Sequence, residues 1–387
     1  MGSLKYASTI ITKKVLQVVH FSSCLLFKVN KNKITFASYR SDELSGNLLY
    51  LSEALKRKYP DKQYVTLMKR FDSSVTGKVK YFVHLIKATY SLATSAYFII
   101  DDFYIPVYFV RPRENTEVIQ LWHAAGIFKK FGLSTVGKPF GPRPDYLKHV
   151  KIHSNYSRLY VSSADVVPYY AEAFGMDEDR IYPLGLPRTD YFFSNSNTAL
   201  KERFFNEYPN LRGKKLLLYA PTYRGKSHYQ DDFQSPIDFQ ILEEKLGGEY
   251  RILIHLHPYM RVTDISDQKF VYHIQKEYSI LELMSLADIL ITDYSSVIFD
   301  YSLLGKPMVF FAHDLEDYKR ERDFYLDYKE MVPGPVFAQT EALADWIKNE
   351  DFNLEAVKNF KKRFFDFHDG KASERIAMHI MEDKTGG

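Results

Sequence analysis

The sequence predicts an α/β protein built from two doubly wound parallel-sheet domains in tandem. Three observations predict it. Short apolar runs alternate with longer runs of helical period, the apolar runs fall into two sets, and 387 residues suit two domains of roughly 150 residues or more. The first set of strand-like runs is 33–38, 63–67, 97–100, 118–122, 158–162 and 180–184, and the second is 215–220, 250–255, 287–292 and 307–311. Helical runs intervene at 42–59, 77–94, 165–174, 236–246, 278–286 and 296–304, and 341–349 and 352–367 also read as helix. Residues 191–212, with the sequence SNSN and a polar helix, read as the linker, so the domains are placed at 1–195 and 196–387. Two such domains would set an active site in the cleft between them, at the carboxyl ends of the strands.

Composition narrows the class. With 45% hydrophobic and 26% charged residues the chain is neither disordered nor a polytopic membrane protein. A single cysteine, Cys24, excludes a disulfide scaffold and a Cys-rich metal site, and it suits a reducing compartment. Charge is unevenly spread: residues 1–90 hold 16 Lys/Arg against 5 Asp/Glu, and the other 297 residues hold 36 against 43. A basic lobe of this kind predicts an anionic partner.

That partner is expected to be a membrane surface. Residues 10–29 are apolar but broken by Lys13, Lys14, Gln17, His20, Ser22, Ser23 and Lys28, too interrupted to span a bilayer and without a signal-peptide cleavage pattern. Residues 76–93 form a second basic-apolar stretch, with Lys78, Lys80 and Lys87 beside Phe82, Val83, Leu85 and Ile86. Such helices lie in the headgroup plane, although two ordinary amphipathic helices packed on a core would read the same. Nucleic acid is not expected, since no zinc-finger spacing, ribonucleoprotein motif or helix-turn-helix is present.

The chemistry-bearing residues follow strand-like runs. His123, in Trp122-His123-Ala124-Ala125-Gly126, leaves a strand into a small-residue turn and suits a general base, with Lys129 and Lys130 just beyond. Asp101 and Asp102 end the preceding strand; orienting His123, binding an acceptor and plain surface capping are all open to them. In the second domain Thr222 and Arg224 follow KLLLYA, and a hydroxyl and a guanidinium there suit phosphate oxygens. His257 follows RILIHL, and Asp293-Tyr294-Ser295-Ser296 follows DILIT where a helix begins. Free N–H groups at that helix start suit an anion, although capping alone would also account for the serines. His255 and His257 alternate and so point apart, and no histidine spacing matches a metal site. No metal or other cofactor is expected.

At these residues the chain resembles the CDP-glycerol glycerophosphotransferase family of teichoic acid synthesis. The stretches that carry the resemblance are LWHAAGIFKKFG (121–132), GLPRTDYF (185–192), YAPTYR (219–224), HLHP (255–258), ADILITDYSSVIFDYSLLGKP (287–307) and ERDFYLDY with PGP (321–335). The resemblance implies a GT-B-like fold of two Rossmann-like domains. It also implies monotopic attachment to the cytoplasmic face of the bacterial membrane and transfer of a polyol phosphate from a CDP-activated donor. Its two essential histidines fall on His123 and His257. Its donor-phosphate contacts fall on Thr222, Arg224, the serines of DYSS and Arg322, and the notional donor set is completed by Asp293. Asp101, Asp102 and Lys130 are assigned to the acceptor side. Where many members read WHG-T this chain has WHAAG (122–126), and where many read R-G-F-Y it has Arg322-Asp323-Phe324-Tyr325.

The WHAAG and KKFG forms and the compact length resemble the glycerol-phosphate primase branch. The expected reaction is transfer of glycerol phosphate from CDP-glycerol to an undecaprenyl-linked disaccharide of N-acetylmannosamine and N-acetylglucosamine, with release of CMP. The alternatives are a glycerol- or ribitol-phosphate extending transferase, a nucleotide-sugar glycosyltransferase of the same fold, and a non-catalytic lipid-surface binding protein. The expected partners are the donor, the lipid-linked acceptor and an anionic membrane surface, with a second copy of the chain left open.

Overall fold

Two six-stranded parallel sheets organise the chain, one in each of two compact units. The computed structural model describes residues 6–194, 197–223, 231–257, 260–262, 269–274 and 277–382. Unit 1 comprises residues 1–190 and 369–387, and unit 2 comprises 191–368.

The strands of unit 1 are β1 (Asn30–Ser38), β2 (Gln63–Met68), β3 (Ser95–Ile100), β4 (Glu117–Gln120), β5 (Arg158–Tyr160) and β6 (Ile181–Tyr182). They lie in the order β2-β1-β3-β4-β5-β6, so the winding reverses between β1 and β3. All six residues of β3 are buried, as expected of a strand covered on both faces. Registry pairs Phe36 with Ile99 and Ile100 with Gln120, which brings Ser38, Asp101 and the residues after Gln120 to one end of the sheet. The predicted strand 118–122 is shorter than its apolar run, because Trp122 turns away with a φ of +51°.

The last helix, Ala372–Glu382, packs Ile376, Ala377 and Ile380 against Ile34, Phe36 and Leu51 of unit 1. A boundary drawn once at 195/196 cannot contain this return. The missing signal lay in Asp190, whose carboxylate accepts the first free N–H groups of that helix, from Ala372 and Ser373, each at 2.8 Å.

Two helices of unit 1 match the basic-apolar stretches. Ala7–Leu26 buries only Leu16 and Ser23, and leaves Ile11, Val18 and Leu25 63–76% exposed at seven-residue spacing, so all three share one stripe. Val75–Thr94, capped by Ser74 through the Gly77 N–H at 3.0 Å, packs on it and exposes Val75, Val79 and Val83. Among the described residues no helix is long and apolar enough to cross a membrane.

In unit 2, β7 (Lys215–Tyr219), β9 (Tyr250–Ile254), β11 (Val271–His273), β12 (Ile289–Thr292), β13 (Met308–Phe311) and β14 (Val336–Phe337) form a sheet ordered β11-β9-β7-β12-β13-β14. A short parallel pair, β8 (Asp231–Phe233) with β10 (Met260–Val262), lies apart from it. The winding reverses between β7 and β12. Leu217, Ile252, Ile291 and Val309 form the core on one face with Leu343 and Ile347. The very short β11 and β14 and the helix Leu315–Arg322 are not visible as periodic runs, since each is too brief or too polar to show one.

Replacing Asp190 by Ala should remove the cap of the last helix and cost about 1–2 kcal/mol. A lower urea midpoint with an unchanged slope would show it.

Candidate active site

In unit 1 the chemical groups converge where the winding reverses. Asp101 and Asp102 follow β3, Arg40 follows β1 and His123 follows β4. Both aspartates are buried, 8% and 6% exposed, which removes the surface-capping reading. The Asp101 carboxylate accepts from Ser38 Oγ at 2.8 Å. The Asp102 carboxylate accepts from Arg40 at 2.6 Å and from the Phe103 N–H at 2.6 Å, and its Oδ2 lies 3.2 Å from His123 Nδ1. The geometry falls short of a full hydrogen bond, so this is a close polar contact between the ring nitrogen and the carboxylate.

Electrostatics separate the two carboxyls. Burial pushes Asp101 up to about 7, and the neighbouring Asp102 charge adds to it. Burial acts on Asp102 in the same direction, but His123, Arg40 and the Phe103 N–H outweigh it and hold Asp102 well below the usual carboxylate range. His123 is pushed below its ordinary value by burial and by the Arg40 charge, against the pull of Asp102. A neutral imidazole with a carboxylate at Nδ1 carries its proton there and presents Nε2 as the basic nitrogen.

The residues after His123 form an aromatic bed. Trp122 stacks on Phe131 at 5.6 Å and meets Phe174 at 5.1 Å, and the buried His153 stacks on Phe174 at 4.4 Å. Gly132, the glycine of KKFG, has φ +58°, and a Cβ there would stand 2.3 Å from the Ala173 carbonyl. That motif glycine is therefore demanded by packing. Lys130 is half-buried two residues before it.

In unit 2, Thr222, His257, Asp293, Ser295 and Ser296 all follow the carboxyl ends of β7, β9 and β12. The His257 ring stacks on Tyr223 at 5.3 Å, while His255 is turned to the Ile274 carbonyl, 2.9 Å from its Nδ1. Thr222 donates its N–H to Asp293 Oδ1 at 2.8 Å, and its buried hydroxyl has no hydrogen-bond partner among the described residues. The Asp293 carboxylate also accepts from the Tyr294 N–H at 2.6 Å. Both bonds fall on Oδ1, so that oxygen braces two loops.

Helix Val297–Ser302 is shorter than the predicted 296–304, and Ser296 makes no side-chain cap. Ser295 Oγ stands 3.5 Å from the Val297 N–H, so both serine hydroxyls are only weakly engaged at the helix start. Arg322 ends helix Leu315–Arg322 and is half-buried. Tyr294 ties its neighbourhood to the DYSS loop by stacking on Tyr318 at 3.9 Å and packing near Phe324. Arg224 lies outside the described residues. Among those described, no group of three or more His, Cys, Asp and Glu side chains is placed to hold a metal.

Residues 18–382 match the family described as CDP-Glycerol:Poly(glycerophosphate) glycerophosphotransferase. The chain belongs to that family. It is 43% identical to the teichoic acid ribitol-phosphate primase of Bacillus spizizenii, over 99% of this chain and all of that one. To the teichoic acid glycerol-phosphate primase of Bacillus subtilis it is 31% identical, over 77% of this chain and 76% of that one. The wall teichoic acid polymerase TagF has the same GT-B-like architecture of two Rossmann-like domains: the TM-score is 0.78 at 26% identity, covering 99% of this chain and 97% of that one.

Family resemblance and structure meet at Asp323. The resemblance sets the glycine of R-G-F-Y at this position, and here the aspartate has φ +52° and ψ 143°, a region open mainly to glycine. Its own carboxylate accepts from the Phe324 N–H at 3.0 Å and so offsets part of the strain. Sequence reasoning missed Arg40, Asn47, Gln120 and Arg188. Only Arg188 carried a signal, as the arginine of GLPRTDYF.

Asp323→Gly should release backbone strain and stabilise the protein by about 1 kcal/mol. A thermal midpoint raised by roughly 2–4 °C would register it, and a lowered midpoint would contradict it.

Proposed function

We propose that the chain transfers a polyol phosphate from a CDP-activated donor to a lipid-linked teichoic acid acceptor and releases CMP, as a priming enzyme. The observation that carries the chemistry is the neutral His123 with Asp102 at its Nδ1. In this reading an acceptor hydroxyl attacks the β-phosphorus of the donor in line, and His123 Nε2 takes the hydroxyl proton. A new P–O bond forms, the bridging P–O bond breaks, and CMP leaves with the electron pair. The Thr222 hydroxyl, His257, the Ser295 and Ser296 hydroxyls, Arg224 and Arg322 hold the diphosphate and take up the charge on the CMP side.

The sequence reading made glycerol phosphate the transferred group. Ribitol phosphate is the better supported donor group, because the primase matched end to end at 43% is a ribitol-phosphate enzyme, whereas a glycerol-phosphate primase matches at 31%. An extending transferase is the second reading, favoured by the likeness to a polymerase over 99% of the chain.

The decisive assay is CMP release from CDP-ribitol and CDP-glycerol in parallel. The acceptors are the lipid-linked disaccharide, bare or already carrying glycerol phosphate, and the products are weighed. One ribitol-phosphate increment is expected. Several increments would favour the extending reading, and no CMP from either donor would end the proposal. His123→Ala should keep donor affinity and lose 10²–10⁴-fold in rate, on the order expected for a general base. Because His123 must be neutral, the rate should fall on the acid side only below the ordinary histidine value of about 6.5. Near-full turnover in His123→Ala would remove the base assignment.

The basic lobe would hold the enzyme against an anionic membrane, apolar stripe inward and lysines at the headgroups. Each Lys or Arg near such a surface contributes on the order of 1 kcal/mol. Vesicles rich in phosphatidylglycerol should bind the protein in a salt-sensitive way, and Val18→Glu with Leu25→Glu should weaken that binding more than tenfold (an expectation from the area each buries). Binding indifferent to salt, lipid charge and these substitutions would refute the attachment.

A further inference from the structure

Trp122 aims His123, and its backbone sits at φ +51°. The left-handed region costs an L residue about 1–2 kcal/mol, so something must hold it there. Asn47 Nδ2 donates to the Trp122 carbonyl at 2.8 Å, and the Arg188 guanidinium donates to the His123 carbonyl. The backbone N–H of Arg188 donates to Asn47 Oδ1 at 3.1 Å, which links the two holders. From the other side Gln120 Oε1 accepts the Trp122 N–H at 2.8 Å while its Nε2 donates to the Asp102 carbonyl at 3.0 Å. Asn47 and Gln120 are 2% and 0% exposed. Each amide uses its oxygen and its nitrogen on different partners, so a flip would set like against like.

We propose that Asn47, Gln120 and Arg188 are positioning residues for the transfer: they clamp the strained Trp122-His123 turn so that the imidazole meets Asp102 and presents Nε2 to the acceptor hydroxyl. The proposal rests on the reading of His123 as the base. Four hydrogen bonds converge on two consecutive residues and on the loop that carries Asp102. The charged groups around His123 are Asp102 beyond β3, Arg40 beyond β1 and Arg188, with Asp101 behind Asp102 and the buried, neutral-favouring His153 across Trp122.

The test compares Asn47→Asp, Arg188→Met, Arg188→Lys and His123→Ala in the full-length protein by CMP release, with folding followed by circular dichroism. Asn47→Asp keeps the acceptor for the Arg188 N–H but sets an oxygen against the Trp122 carbonyl. It should lower kcat 10–100-fold while the donor KM stays within twofold, since displacement of a catalytic group by about 1 Å costs up to 10²-fold. Arg188→Met should do the same and move the acid limb to higher pH, because one positive charge beside His123 is gone. Arg188→Lys, which restores a donor and a charge, should recover part of the rate. Wild-type kcat in folded Asn47→Asp and Arg188→Met, or a loss confined to the donor KM, overturns the proposal; if Arg188→Met does not fold, the isosteric Asn47→Asp decides. Full turnover in His123→Ala would instead bring down the base assignment, and this proposal with it.

Discussion

A carboxylate buried at the end of a strand must find donors, and both units are arranged around one. In unit 1 Asp102 follows β3 and takes the Phe103 N–H and Arg40; in unit 2 Asp293 follows β12 and takes the N–H groups of Tyr294 and Thr222. In each case the aspartate bonds the N–H of the next residue at 2.6 Å, which turns the chain sharply off the sheet. An unsatisfied buried carboxylate would cost several kcal/mol, so neither loop is free to relax away from its position. The loops that carry His123 and Thr222 are thus tied to buried carboxylates at strand ends. The two sites differ in what the remaining charge does. Asp102 sets Oδ2 beside His123, while Asp293 Oδ1 takes two backbone N–H groups and the Thr222 hydroxyl is left without a hydrogen-bond partner among the described residues.

Strand ends were legible because their sequence signature is local. An apolar run that stops at His123, His257 or Asp293 announces both the strand and the residue it delivers, and these positions stand at the carboxyl ends of their sheets. What carries out the holding was illegible for a physical reason. Arg40 and Asn47 reach the site from β1 and the helix after it, and Gln120 from within a strand where a polar residue reads as an interruption. Such contacts depend on sheet order, which no spacing along the chain encodes. The short strand β14 and the last helix were hidden likewise: the first is two residues long, and the second joins a core whose other buried members run from Ile34 to Tyr160.

Five described non-glycine residues hold positive φ, Trp122, His153, Asn155, Asp323 and Glu350, and two of them bear on the candidate site. These are Trp122, whose ring stacks on Phe131, and Asp323, which precedes Phe324. Their compensation differs. Asp323 bonds the following N–H with its own side chain, a local remedy that leaves strain in place. Trp122 is held from outside by Asn47 and Gln120, so its conformation depends on the folded sheet and disappears with it. A turn maintained in that way can be stiffer than a glycine turn, since glycine would leave the alternatives open.

The stretch GLPRTDYF then reads as one device rather than a string of separately retained residues. It is a short helical turn, Pro187–Phe193, from which Arg188 reaches the His123 carbonyl and Asp190 reaches the N–H groups that open the last helix. The two contacts leave the same turn two residues apart. Ser373 Oγ adds a bond to the Pro187 carbonyl at 3.2 Å, and Arg375 adds one to the Leu184 carbonyl at 3.1 Å, just before the turn. Any displacement of that helix would have to be absorbed by a turn from which Arg188 also bonds the His123 carbonyl. This makes the chain's final described helix part of the support of the His123 loop, and it gives its return to unit 1 a mechanical role.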